Sequence, residues 1–513
     1  MKQYTLSLLL FFPLIGWAQP EIQWQRRLGG SLTEEIRSIT LTIDKGYLMA
    51  GPTISNDIDV EYNNGAVDFW SIKVDSAGTL EWEKCYGGSL NESPRDAKQV
   101  SDGGFIYCGN TQSIDGDVSG NHGETDVWLI KTDNVGNLEW QKCYGGSDID
   151  EGWEAQMTSD GGYIIVGWTE SNDGNIVFNH GLTDVWVIKL DANAEIEWQK
   201  TYGGSMFDWG YSVFQTDDGG YIVCGEAQSD DGDLSGIIFG LDAWVLKLDA
   251  EGKIEWQREY GGSDADRANE ILQTRDGGFI FCGHSESEDG DLTNNNGVFD
   301  IWVVKLSNTG DIEWQRSMGG SGQDNGMHIA ELSEGGYVVT GSLNSPEYPG
   351  NHGSSDLWVI KLSESGEIVW QRAYGGSSQD YGRAIEQAGD GGLIVGGYTR
   401  SAAGDGDVGG PALGSNDFWI LKLAPETSDA IEPVHPLLQI YPNPANTHIR
   451  VQGIDTQQDG QVIISDALGR IVMTRPLQTA ALLELEPLPP GMYFLLARYA
   501  DGKQMNGKFQ KVE

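Results

Sequence analysis

The sequence predicts an all-β protein: a seven-bladed β-propeller with four-stranded blades closed by the N-terminal strand, followed by a small C-terminal β-sandwich. The first observation behind this is a repeat. An aromatic or apolar residue followed by Gly-Gly recurs at Leu28-Gly29-Gly30, Tyr86-Gly87-Gly88, Tyr144-Gly145-Gly146, Tyr202-Gly203-Gly204, Tyr260-Gly261-Gly262, Met318-Gly319-Gly320 and Tyr374-Gly375-Gly376, spaced by 58 residues five times and by 56 once. A period of that length marks stacked supersecondary units that share one continuous core. The second observation is local. Each unit holds four short runs rich in β-branched and aromatic residues, separated by Gly-rich turns, with no 3.6-residue period. The third concerns the ends: Glu21–Gln25 reads as a fourth strand without a preceding three, and the last unit lacks its fourth.

In chain order, residues 1–18 read as a cleaved secretory signal, an apolar run from Leu6 to Trp17 ending in small residues. That run is shorter than the roughly 20 apolar residues a membrane span needs, and no later segment qualifies. Residues 19–424 form the propeller. In a representative unit the strands fall at Tyr211–Gln215, Tyr221–Gly225, Ala243–Leu248 and Ile254–Arg258, with Asp218-Gly219-Gly220 and Ala250-Glu251-Gly252 as turns. A radial arrangement of such twisted sheets buries both faces of each. Glu21–Gln25 completes the last blade. Residues 425–436 are a linker, and 437–513 are a second domain of alternating strands with Pro and Gly corners.

With 77 acidic against 32 basic residues the net charge is -45, which excludes nucleic acid as a partner. The five cysteines sit at repeated strand positions in different units and read as small buried hydrophobes, not as a disulfide framework. Fourteen of the eighteen Trp occupy two repeat positions, which assigns them to packing between blades. Asp68, Asp126, Asp184, Asp242, Asp300, Asp356 and Asp417 stand two residues before the third-strand Trp. A short carboxylate entering a strand accepts loop N–H groups; metal ligation is the alternative. His122, His180 and His352 lie in separate units, so they cannot share a metal.

The C-terminal region carries Tyr441-Pro442-Asn443-Pro444, then Asp466, Gly469 and Arg470, then Gly491 and Tyr493, then Lys508 and Lys511. In this order the motifs closely resemble the type A C-terminal sorting domain of the type IX secretion system of Bacteroidetes. The resemblance covers about the last eighty residues. It implies that the type IX machinery is a partner and that the chain is secreted or attached to the outer cell surface. The propeller units are similar to uncharacterised propeller repeats of bacterial surface proteins, which imply no activity.

Two sets of residues are candidate sites. The loop between second and third strands carries Asp115 and Asp117, Asp231 and Asp233, Asp289 and Asp291, and Asp405 and Asp407, each pair flanking a Gly. Such oxygen-rich loops suit Ca²⁺, the one cofactor this chain suggests; an Asx-turn loop is the alternative. The second set comes from the first strand, taken to line the channel as in the WD-repeat propellers this strand order resembles. Its one variable column reads Arg37, Arg95, Trp153, Tyr211, Asn269, Met327 and Arg383, with Trp209 and Tyr381 breaking the pattern nearby. Acidic Glu34, Glu92, Asp150, Asp208, Asp266, Asp324 and Asp380 lie just before it. Aromatic faces and Arg at a channel mouth suit a sugar or an extended peptide.

The function this predicts is a secreted or surface-displayed binding or adhesion protein, not an enzyme, with a glycan or protein ligand. The alternatives are a polysaccharide hydrolase or lyase and a structural surface-layer component. Catalysis by an acid and a base needs two carboxylates in unlike environments, and the symmetric recurrence here singles out no pair.

Overall fold

The computed structural model describes residues 20–426, apart from 235–239, 293–294 and 349, and within 427–513 the residues 439–441, 445–452, 460–466, 471–479, 482–485, 488–499 and 504–512. The signal segment and nearly all of the linker lie outside them. The chain forms two compact units, Met1–Pro425 and Glu426–Glu513.

The first unit is seven four-stranded antiparallel sheets. The first is β2 (Ser38–Leu41), β3 (Tyr47–Thr53), β4 (Asp68–Val74) and β5 (Leu80–Tyr86). The next five repeat this plan as β6–β9, β10–β13, β14–β17, β18–β21 and β22–β25, with first strands Glu92–Gln99, Asp150–Met157, Asp208–Gln215, Asp266–Gln273 and Asn325–Glu331. The seventh takes β26 (Asp380–Gln387), β27 (Leu393–Thr399) and β28 (Asp417–Leu423) from the end of the unit and β1 (Ile22–Leu28) from its start. β1 pairs antiparallel with β28 from Ile22↔Leu423 to Leu28↔Phe418, so the predicted closure is met. Each first strand also packs on those of both neighbouring blades, β2 on β26 included, which completes the ring.

Strands begin earlier than hydropathy alone suggests. β14 starts at Asp208, not Tyr211, because Asp208 and Trp209 pair with Ala227 and Glu226 of β15 (Tyr221–Ala227). In the β14–β15 turn Gly219 takes φ +87°, a left-handed conformation that side-chain-bearing residues avoid.

Blade-to-blade packing is built on the repeated aromatics. All seven third-strand Trp are at most 1% exposed. Fourth-strand Trp24, Trp82, Trp198, Trp256 and Trp314 lie against the hairpin glycine of the next blade. Tyr86, Tyr144, Tyr202 and Tyr260 each donate a phenolic hydrogen bond to a hairpin carbonyl of the next blade. A repeated ion pair that the sequence reading passed over adds to this. On the third strands, Lys73, Lys131, Lys189, Lys247 and Lys305 are buried and each bridges two carboxylates, as Lys189 does to Asp160 and Glu197 at 2.9 Å. All five cysteines are free, with Cys108, Cys224 and Cys282 buried.

The second unit has a three-stranded sheet of β29 (Gln439–Tyr441), β30 (His448–Gln452) and β33 (Leu482–Glu484). A four-stranded sheet of β31 (Gly460–Asp466), β32 (Ile471–Pro476), β34 (Gly491–Tyr499) and β35 (Gln504–Lys511) accompanies it. Ile449, Val451 and Leu483 from one sheet share a core with Val462, Ile464 and Leu495 from the other, as a sandwich requires.

Candidate functional site

In six of the seven first strands the ladder to the second strand slips by one residue at the same place: between Pro94 and Asp96, Gly152 and Glu154, Gly210 and Ser212, Ala268 and Glu270, Gly326 and His328, and Gly382 and Ala384. The extra residue at each slip is a member of the variable column. A β-bulge turns its extra residue out of the regular pleat and re-aims its side chain. The neighbouring second strand carries a glycine where the bulge presses closest. A Cβ on Gly225 would sit 1.8 Å from the Trp209 carbonyl oxygen. In the first blade Arg37 lies just ahead of β2, its N–H donating to the Ala50 carbonyl at 2.8 Å. All seven column residues line one cavity of about 220 Å³ at the axis.

At one level of this cavity the guanidinium of Arg95 lies over the Trp153 ring, 4.1 Å from its centroid, and Arg267 lies over Tyr211 at 3.9 Å. Trp153 and Tyr211 meet edge to face at 4.6 Å. Arg37 pairs with Glu35 at 3.0 Å, Arg95 with Glu151 at 3.2 Å and Arg267 with Glu226 at 3.9 Å. Arg383 has no carboxylate partner among the described residues and approaches only the Met327 sulfur, at 3.8 Å. Burial, with the neighbouring charges of Arg383 and Arg95, lowers Arg37 to about 10. The Nε atoms of Arg37, Arg95, Arg267 and Arg383 and the Trp153 indole nitrogen are buried without a hydrogen-bond partner.

One residue further along the first strands lies a second group that the sequence reading did not single out. Asp96, Glu154, Glu270 and His328 line the cavity together with Lys98. Lys98 sits 3.4 Å from Asp96 and 3.9 Å from Glu154. Burial alone would lower its pKa, but Asp96, Glu154, Glu270 and Glu386 more than offset this and raise it. Burial raises the Glu154 and Glu270 carboxyls, and it lowers His328 to about 3, which leaves that imidazole neutral. The signal was present in the sequence. Ser38, Asp96, Glu154, Ser212, Glu270, His328 and Ala384 form a second varying column beside the first.

Two expected members are elsewhere. Trp209 does not line the cavity; it stacks on Phe207, centroids 5.4 Å apart and planes 9° from parallel. Tyr381 likewise stacks on Tyr398 at 4.9 Å. Each finds a flat aromatic neighbour in its own blade, whereas Arg267, at the equivalent strand position, is long enough to fold over Tyr211. The acidic residues ahead of the column are not at the channel mouth either. Asp208 is buried and accepts the Gly204 N–H at 2.8 Å and the Ser229 hydroxyl at 2.6 Å, holding the Gly-Gly turn.

The remaining carboxylates have local work. Asp126, Asp184 and Asp356 each accept the backbone N–H of the His four residues earlier, and that His closes the contact through Nδ1 at 2.6, 2.6 and 2.9 Å. In the Asp-Gly-Asp loops, Asp115, Asp231, Asp289 and Asp405 accept the N–H groups of Ser89, Ser205, Ser263 and Ser377. Asp117, Asp233 and Asp291 reach the first Gly of the turn at 3.2 to 3.3 Å. Asp407 lies 3.4 Å from Arg372. Among the described residues no group of three or more His, Cys, Asp or Glu is arranged to hold a metal ion.

In the second unit, Tyr493 donates to the Pro489 carbonyl at 2.7 Å. Buried Lys511 lies on β35, and the next N–H, of Val512, donates to the Ala445 carbonyl. Pro442, Asn443, Pro444, Gly469 and Arg470 lie outside the described residues, as do the side chains of Tyr441, Asp466 and Lys508. Residues 439–510 match the family model described as a secretion system C-terminal sorting domain. The C-terminal unit is a type IX sorting domain. With this sorting domain the chain is cargo for export, secreted or held at the outer surface. No helix among the described residues is long and apolar enough to cross a membrane.

Elsewhere the likenesses are more distant. The regulatory protein FlaEY of Caulobacter vibrioides is 24% identical over 247 residues, 42% of this chain and 26% of that protein, so the chain spans about a quarter of it. Among solved structures, Sqt1 from Chaetomium thermophilum is 12% identical over 77% of this chain and 87% of that one, with a TM-score of 0.38. The extracellular domain of the putative one component system BT4673 from B. thetaiotaomicron is 12% identical over 94% of this chain and 58% of that one, with a TM-score of 0.38. A puromycin hydrolase is 10% identical over 91% and 59%, with a TM-score of 0.45.

Proposed function

We propose that this exported propeller is an extracellular binding protein that captures a glycan or protein ligand at its axis and contributes to adhesion, and that it is not an enzyme. The observation that carries this reading is the convergence at the axis. A column that varies while the scaffold repeats is delivered, by bulges in six of the seven blades, to a single cavity, where buried polar atoms lack protein partners. Scaffold repetition with local variation at one concave point is what a recognition site on a rigid ring needs.

Binding of the full-length exported protein to an array of polysaccharides, mucin glycans and extracellular proteins tests this, run once with Ca²⁺ and once with EDTA. Saturable binding lost on Arg95→Gln and Trp153→Ala supports it. Binding that survives both variants removes the axis as the site, and self-association without ligand binding favours a surface-layer role.

A polysaccharide-cleaving reading has one observation in its favour. Glu154 and Glu270 are carboxyls raised by burial, as a general acid's is. Assaying the same incubations for new reducing ends tests it.

A further inference from the structure

Resting on the axial-binding reading, we infer that the cavity is a site for the carboxylate of an acidic, uronate-type sugar. The first argument is charge. In a chain of net charge -45, four guanidiniums meet around one cavity and three carboxylates pair with them, while the further carboxylates of the lining, Asp96, Glu154 and Glu270, gather around Lys98 and not around the guanidiniums. Arg383 is left over. Four Nε–H donors there also lack partners. Like charges crowded together in a partly buried place cost stability unless something of opposite sign joins them. A carboxylate supplies that charge, and its two oxygens match the planar fork of a guanidinium.

The aromatic rings fit this role differently from an open stacking platform. Arg95 covers the face of Trp153 and Arg267 that of Tyr211, so the rings hold the guanidiniums in place. A ligand here meets charge first, not an exposed π face.

The second group in the cavity separates a sugar acid from a peptide carboxyl terminus. One residue further along the first strands the cavity offers acceptors: Asp96, whose Oδ2 is buried without a partner, and Glu270. Acceptors of this kind are complemented by several hydroxyl donors beside the carboxylate, which a uronate ring carries. A peptide terminus would bring one amide N–H and apolar atoms, and Met327 is the only lining aliphatic side chain. Size agrees as well. A cavity of about 220 Å³ is large enough to admit one terminal sugar.

The test is calorimetric titration of the full-length protein with galacturonate and glucuronate di- and trisaccharides, with their neutral galactose and glucose counterparts, and with a short peptide bearing a free carboxyl terminus. The expected result is binding of a uronate oligosaccharide with no detectable binding of its neutral counterpart. Arg383→Gln should weaken it roughly ten- to a hundredfold, the equivalent of one charge-assisted pair. Arg258→Gln, an exposed arginine paired with Asp311 away from the axis, should leave it unchanged. Unchanged melting temperatures establish that both variants fold. Equal binding of the neutral sugars, or binding of the peptide alone, overturns the uronate inference and leaves an axial binding site standing. Failure of every probe also overturns it, while the wider array decides the binding reading separately.

Discussion

Arg27 on the first strand and Asp417 on the last are ion-paired in the interior, their side chains 1% and 0% exposed. A second guanidinium nitrogen of Arg27 donates to the Ser401 carbonyl at 2.7 Å. The pair therefore joins the two ends of the propeller segment at the blade they share. The Asp equivalents in the other six blades have no arginine partner, and three of them meet a His through Oδ2 instead; their Oδ1 atoms are buried without a partner.

Breaking this pair should open the ring at its seam. Arg27→Met leaves Asp417 buried and uncompensated, and we expect a loss of about 3 to 5 kcal/mol, typical of a buried pair with one partner removed. Urea denaturation checks it. The double variant with Asp417→Asn should recover part of the loss, since no buried charge then remains. A loss below about 1 kcal/mol in the single variant would assign closure to the β1–β28 ladder alone.

The third-strand Trp are core. Trp244, fully buried with its indole N–H donating to Gln257 at 3.0 Å, should cost ~3 to 5 kcal/mol on truncation to Ala. Half-buried Trp209, stacked on Phe207 at the edge of its blade, should cost distinctly less. Thermal denaturation of the two variants side by side tests the ordering.

The same two positions show what the sequence made legible. Periodicity revealed the blades, the seam and the packing Trp, because repeated burial constrains repeated residues. It also revealed the axial column, since a varying position stands out against a repeating scaffold. It did not reveal the bulge, which depends on pairing register across two strands and has no residue signature of its own. Without the bulge, Trp209 and Tyr211 look like equivalent neighbours two residues apart; with it, only Tyr211 enters the cavity. Arg267 and the deeper Asp96, Lys98 and Glu270 escaped for a related reason: side-chain reach decides which residues around a bulge meet at the axis. Trp153→Ala should accordingly abolish ligand capture and Trp209→Ala should leave it intact, as measured on the binding array.

The Asp-Gly-Asp loops should be insensitive to metal. Asp115, Asp231, Asp289 and Asp405 each already hold a Ser N–H across the Gly-Gly turn, so the loops are closed by hydrogen bonds. We expect the same melting temperature in Ca²⁺ and in EDTA. A rise of several degrees on adding Ca²⁺ would instead make the loop carboxylates ligands.

Stability should pass through a maximum in mildly acidic solution, because two repeated sets of carboxylates pull in opposite directions. Where blades meet, burial chiefly, with nearby Glu92 and Asp117, raises Asp68 to about 7. Burial, with Asp266, Glu259 and Asp291, does the same to Asp242. Between the unfolded value near 4 and these folded values the native state holds more protons than the unfolded one, so stability falls as pH rises through that window. The third-strand Lys partners behave the other way. Burial would raise Asp160, Asp218 and Asp276, but their Thr and Gly hydrogen bonds and the Lys ammonium hold each at about 2. Their contribution is present above about pH 4 and is lost as pH falls toward 2. The urea midpoint should therefore be higher at pH 5 than at pH 8, and should collapse below pH 4. Asp68→Asn with Asp242→Asn should flatten the limb above pH 5 and leave the acid limb in place. A midpoint that climbs steadily from pH 5 to pH 8 would mean that these interface carboxylates are ionised and satisfied in the folded ring.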